Sequence, residues 1–181
     1  TLATGITVSA AGTGAITIAA GEDFTDSTLD HDGLADGDIT MGLTATVQSV
    51  SGNITLDAAD SMTIAVINAD SDGDNTRGDV TITARGTGSN IGSILDANVE
   101  ILNITADDLT FTAKGNIGTE SDPIEFISNT AAFNFTGAGS FFGLSTGDMN
   151  VDLSIQNGDI NLESTGTLTL TRVSAPNGSV R

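Results

Sequence analysis

The side chains best placed to do chemistry lie in one acidic stretch, Asn68-Ala-Asp70-Ser-Asp72-Gly73-Asp74-Asn-Thr76-Arg-Gly-Asp79. Oxygen-bearing residues stand at alternate positions, with Gly at the sixth place and an acid at the twelfth. That is the spacing by which a calcium loop wraps a hard cation in oxygen donors. Asn68, Asp70, Asp72, Asp74, Thr76 and Asp79 are therefore the candidate ligands, and Ca2+ is the candidate ion. The frame departs from such loops in three places: Asn opens it, Asn75 stands where an apolar residue serves as anchor, and Asp79 replaces the closing Glu. A solvated, Asp-rich corner is the competing reading of the same residues.

Little else in the chain points to catalysis. A second acidic stretch, Asp26 to Asp38, contains Asp30-His-Asp32-Gly33 and Asp36-Gly-Asp38 but no complete ligand frame, and reads as a solvated loop. His31 is the only histidine, without a Ser or Cys pattern for nucleophilic chemistry. Cysteine is absent, which excludes thiol chemistry and a disulfide framework. A β-helical polysaccharide lyase or hydrolase needs a basic residue beside a bound cation, or paired carboxylates across a cleft. Arg77 and Arg85 are the only basic candidates near the acids, and Trp and Tyr, which commonly make sugar platforms, do not occur. No enzyme is expected, and no catalytic or cofactor-binding residue is assigned.

The elements that position the acidic stretch read as strands. Leu, Ile, Val and Phe fill about a quarter of the 181 positions, enough apolar content for a packed core. Thr, Ile, Gly, Asp and Asn abound while Lys, Glu, Gln and Arg are scarce, which excludes an all-α fold. Twenty-four acids against five bases give a net charge of −19, a potential that repels nucleic acid and anionic membrane. No apolar run is long enough to span a bilayer as a helix.

A repeated phrase organises the chain. Gly52-Asn-Ile-Thr-Leu-Asp-Ala-Ala-Asp-Ser-Met-Thr-Ile-Ala-Val-Ile67 aligns without gaps on Gly158-Asp-Ile-Asn-Leu-Glu-Ser-Thr-Gly-Thr-Leu-Thr-Leu-Thr-Arg-Val173. Shorter copies begin at Gly14, Gly37, Gly78 and Gly147. Each alternates apolar with polar residues, so Ile54 and Leu56 face inward while Thr55 faces out. The Gly suits a corner, and the Asn or Asp after it can bond its own backbone there. Val99 to Thr105, Leu109 to Ala113 and Thr165 to Thr171 read as further strands, and Thr1 to Ser9 as a strand without its preceding corner.

Stacked strand-and-corner units predict an all-β fold, a parallel β-solenoid of about eight irregular coils, each of roughly 20 residues plus insertions. Residues 1–181 then form a single segment, and the bare ends suggest part of a longer repeat-containing chain. Two tandem β-sandwich modules are the alternative. Six of the seven phenylalanines, Phe111, Phe126, Phe133, Phe135, Phe141 and Phe142, fall within one third of the chain and suggest an aromatic stack inside wider coils; only Phe24 lies apart. Because Phe141 and Phe142 are adjacent, one of them must point outward.

Three segments, the Gly52 and Gly78 phrases and Leu109-Thr-Phe-Thr-Ala-Lys-Gly-Asn-Ile-Gly-Thr-Glu-Ser-Asp-Pro-Ile124, resemble the repeat regions of large secreted filamentous-haemagglutinin-like exoproteins and adhesins. The resemblance implies a right-handed parallel β-helical shaft, export to the cell surface or beyond, and a role in attachment or surface architecture. It brings no catalytic residues. The expected partners are another copy stacked head to tail, continuation in a longer chain, or a host or matrix surface, with neither nucleic acid nor membrane insertion. Two further readings stay open: a surface-layer or filament subunit of a halophilic or archaeal cell, and an ice- or polysaccharide-binding β-helix using outward Thr rows.

Overall fold

A computed structural model describes residues 1–21, 37–86, 91–99 and 101–181. The described residues hold no helix and seventeen strands. In chain order these begin with β1 (Thr7–Ala10), β2 (Ile16–Ala20), β3 (Ile39–Thr40), β4 (Thr46–Ser49), β5 (Ile54–Ala58) and β6 (Met62–Ile64). They continue with β7 (Val66–Asn68), β8 (Val80–Ala84), β9 (Ile94–Asp96), β10 (Ile104–Thr105), β11 (Asp108–Ala113) and β12 (Ile124–Ile127). The last five are β13 (Thr130–Phe135), β14 (Phe141–Ser145), β15 (Met149–Ser154), β16 (Ile160–Ser164) and β17 (Leu168–Ser174).

Every pairing between these strands is parallel, and non-consecutive strands pair throughout. The first long sheet runs β1-β4-β7-β10-β12-β14-β16, the second β2-β5-β8-β11-β13-β15-β17, and a short third runs β3-β6-β9. This is the topology of a parallel β-solenoid; sandwich modules, which pair neighbouring strands antiparallel, are thereby excluded. Seven strands stand in each long sheet, and Val180 bridging Ile160 opens a further coil, against about eight expected.

Register measures the coil. Phe141 pairs with Ile160 and Met149 with Leu168, an advance of 19 residues, while Leu109 pairs with Ala131, an advance of 22. Insertions widen the earlier turns: Ile54 pairs with Val80 and Val80 with Leu109, advances of 26 and 29. The acidic stretch is one such insertion.

Alternation places the core as expected. Ile54, Leu56 and Ile160 are buried and Leu162 packs beside them, all in one apolar cluster reaching from Leu2 to Ala175. Phe133 stacks on Phe111 with ring centroids 5.4 Å apart, and approaches Phe141 at 4.3 Å and Phe126 at 6.2 Å. Gly143 makes room for this group, because a Cβ there would lie 2.4 Å from the Phe141 ring and 3.1 Å from that of Phe126. Phe141 is buried and Phe142 faces outward, half-buried.

Four local expectations are corrected. Val99 to Thr105 is not one strand: Val99 and Ile101 lie exposed, and among the described residues of this stretch only Ile104–Thr105 pairs. The N-terminal strand is confined to Thr7–Ala10, with Gly5 at φ 78 turning the chain after an isolated bridge from Leu2 to Met41. In the Thr165–Thr171 run the alternation breaks late, since Val151 pairs with Leu170 but Asp152 with Arg172, leaving Thr171 as the extra residue of a bulge. Finally, the aligned Gly52 and Gly158 phrases occupy different walls: β5 belongs to the second long sheet and β16 to the first. Phe24, His31 and the acids from Asp26 to Asp36 lie outside the described residues.

Candidate metal site and the polar corner ladder

The acidic insertion leaves the first long sheet at the end of β7 and joins the second at β8. Its base is closed by the Gly78 N–H donating to the Ala69 carbonyl at 2.9 Å. Within it, Asn68 Oδ1 accepts the Asp70 N–H at 2.9 Å and Asp74 Oδ1 accepts the Thr76 N–H at 2.7 Å, the local turns that short polar side chains favour. The Gly73 N–H reaches the Asp70 carbonyl at 3.2 Å, with Gly73 at φ 73 and Asn75 at φ 66. Asn tolerates that left-handed conformation, whereas the apolar anchor of a calcium loop would strain there.

These turns converge three carboxylates. Asp70, Asp72 and Asp74 each place one oxygen within 4.8 Å of the others, with Asp70 buried and the other two exposed. The group can hold a metal ion, and its donors are all hard oxygens. The remaining candidates sit otherwise. Asn68 commits its side-chain oxygen to the backbone, as above, and Thr76 is exposed. Asp79 turns toward the shaft: its N–H donates to Asn53 Oδ1 at 2.9 Å, and its Oδ2 accepts Asn53 Nδ2 at 3.3 Å.

The two basic residues considered for catalysis are both in ion pairs. Arg77 Nε lies 3.5 Å from Asp70 Oδ2, while Arg85 forks onto Asp57 through Nη2 at 2.8 Å and Nε at 3.2 Å. Asp57, in β5, is buried, so the second pair ties the chain beyond β8 back to the preceding coil.

Sequence reasoning missed the role of the short polar residue at each corner, which follows a glycine in every case below except Ser61, which follows Asp60. It bonds the next coil, not its own backbone. The N–H of Ser61 donates to Asp38 Oδ1, Ser93 to Ser61 Oγ, Asn116 to Ser93 Oγ, Ser140 to Asn116 Oδ1, Asp159 to Ser140 Oγ and Ser179 to Asp159 Oδ1, all between 2.8 and 3.2 Å. One short polar side chain per coil thus satisfies a backbone donor that a corner would otherwise leave bare. The signal was present as Gly-[Asn/Asp/Ser]-apolar, but its partner lies a full coil away.

Asn103 does the same inside the wall. It is fully buried; its Nδ2 donates to the Ala65 carbonyl at 3.1 Å and to Asp96 Oδ1 at 2.5 Å, and its Oδ1 accepts the Glu125 N–H at 2.8 Å. One amide thereby joins three successive coils. Burial pushes the Asp96 carboxyl above the ordinary carboxylate range, and Asp122 adds to that shift while hydrogen bonds from Asn98 and Asn103 oppose it.

The outward Thr rows are partial. Thr17, Thr55, Thr81 and Thr110 form one file across the second long sheet, which Ala132 and Asp152 then interrupt. Comparison of the chain with protein-family models, with curated proteins and with solved structures finds no match.

Proposed function

We propose that this chain is a structural β-solenoid segment of an exported surface protein, serving as stalk or self-assembling extracellular fibre, in line with its resemblance to filamentous-haemagglutinin-like exoproteins and adhesins. One observation carries the reading: an inward column is bare at the last coil. Leu170 registers with the fully buried Val151 yet is 58% exposed. Around it Ile160, Leu162, Leu168, Val173 and Val180 line an apolar groove of about 210 Å³. An exposed apolar sheet edge favours packing of a second copy against it. The net charge of −19 opposes approach of two like rods, so association should strengthen as salt screens it.

Electron microscopy of the full-length product, together with sedimentation of the chain and its Leu170→Lys variant across salt concentration, tests this. End-to-end association of the wild type that the variant loses is the expected result. A compact, monodisperse full-length particle would overturn it.

Calcium belongs to the same reading, as the ion for Asp70, Asp72 and Asp74. A flexible oxygen site open to water suits Ca2+ better than Mg2+, which demands near-ideal octahedral geometry. Neutralising these acids would stiffen the shaft at the insertion. Millimolar calcium is expected to raise the melting temperature; no change in that temperature would remove calcium from the account.

A further inference from the structure

We infer that Arg77 is a built-in competitor for the cation site, sharing the Asp70 carboxylate with the metal so that uptake of a divalent ion requires the guanidinium to let go. The inference rests on the cation reading of Asp70, Asp72 and Asp74.

Asp70 is more than nine-tenths buried, at 8% exposed. Its Oδ1 is enclosed and accepts no hydrogen bond from the protein, an arrangement that suits a bound cation. Its Oδ2 meets Arg77 Nε at 3.5 Å, within ion-pair range but too long for a good hydrogen bond, and Nε itself donates no hydrogen bond. Arg77 therefore supplies Asp70 with countercharge and leaves its coordination unmet. A divalent ion bridging Asp70, Asp72 and Asp74 supplies both.

Arg77 is held loosely, though its side chain is only 17% exposed. Its one other hydrogen bond described here, Nη2 to Asn75 Oδ1 at 3.3 Å, stays within the exposed turn. The base of the insertion is closed by the backbone of Ala69 and Gly78, which its departure does not touch. Without metal the arginine offsets one of three negative charges and lets the turn keep its shape; with metal it becomes a like charge beside the ion. The affinity that results suits a calcium-rich exterior, in the range of about 10⁻⁴ to 10⁻³ M typical of extracellular modules.

Calorimetric titration of the whole chain with Ca2+, comparing wild type, Arg77→Gln, Arg77→Lys and Asp72→Asn, decides the matter, with circular dichroism confirming the fold of each. Removing the competing charge in Arg77→Gln should tighten binding roughly three- to tenfold. Arg77→Lys, which keeps the charge, should stay within about twofold of wild type, and Asp72→Asn should bind more weakly. Binding by wild type that Arg77→Gln does not tighten beyond Arg77→Lys overturns the competition and leaves the site standing. No calcium heat in either wild type or Arg77→Gln overturns the site itself.

Discussion

Gly139 stacks directly on Gly115: a Cβ built on Gly139 would lie 2.0 Å from the Gly115 carbonyl oxygen. The column continues upward, with Gly158 set against the Gly139 carbonyl at 2.2 Å and Gly178 against that of Gly158 at 1.8 Å. The obstructing atom is backbone of the neighbouring coil, so no side chain can rotate away. Gly139→Ala should therefore destabilise by about 2–3 kcal/mol through forced overpacking. Urea denaturation measures it; a loss under about 0.5 kcal/mol would show that the coils can part at this corner.

Asn103 joins three coils from a fully buried position. Asn103→Ala leaves the Glu125 N–H without that acceptor and the Ala65 carbonyl without that donor, so a loss of about 2–3 kcal/mol is expected. Exposed Asn129, whose Nδ2 bonds Asp107, is the control, and its replacement by Ala should cost under about 1 kcal/mol. Equal losses at the two sites would refute the special role of Asn103.

Asp96 makes stability depend on pH. Its folded-state carboxyl holds its proton above the ordinary value of 3.8, chiefly because burial disfavours the charge. The group's stabilising contribution is thus complete below that value and is lost as pH rises through the higher folded-state value. Asp96→Asn keeps an oxygen to accept from the Asn98 N–H and from Asn103 Nδ2. The variant should gain stability over wild type at about pH 7, and the gain should shrink toward about pH 3.5. Urea midpoints at both pH values check this, and a gain that grows on acidification would reverse the sign argued here.

Asp57 carries its charge into a file of outward-facing positions that continues with Thr83 and Thr112. Arg85 is its fork-shaped partner, 38% exposed against 7% for the Asp57 side chain. Arg85→Ala should cost about 2 kcal/mol, because it weakens the pairing of a buried carboxylate. The double variant Asp57→Thr, Arg85→Ala should recover at least about half of that loss, since Thr fits the file without a charge to compensate. Thermal unfolding of both variants reads the difference; no recovery in the double variant would mean that Asp57 contributes more than its pair with Arg85.

Much of the molecule is legible in its sequence. Alternation at Ile54, Thr55 and Leu56 told inside from outside, because a period of two is a local property of a strand. The Gly-polar-apolar phrases marked corners, and their density favoured a solenoid over sandwich modules, which the parallel pairing then excluded. The acidic insertion announced itself through alternate oxygens and the Gly73 turn. What tertiary structure alone decided concerns partners a full coil away. Alike in sequence, the phrases at Gly52 and Gly158 lie in different long sheets, because insertions change how far each turn advances and no local pattern records that distance. Asp159 serves the N–H of Ser179 in place of its own turn, since parallel stacking brings that donor within 2.8 Å. Of the six-residue ligand frame, Asp70, Asp72 and Asp74 gather, while Asn53, one coil below, takes up Asp79. Short-range periodicity dictates which way a side chain points; only the stacking of coils dictates what it meets.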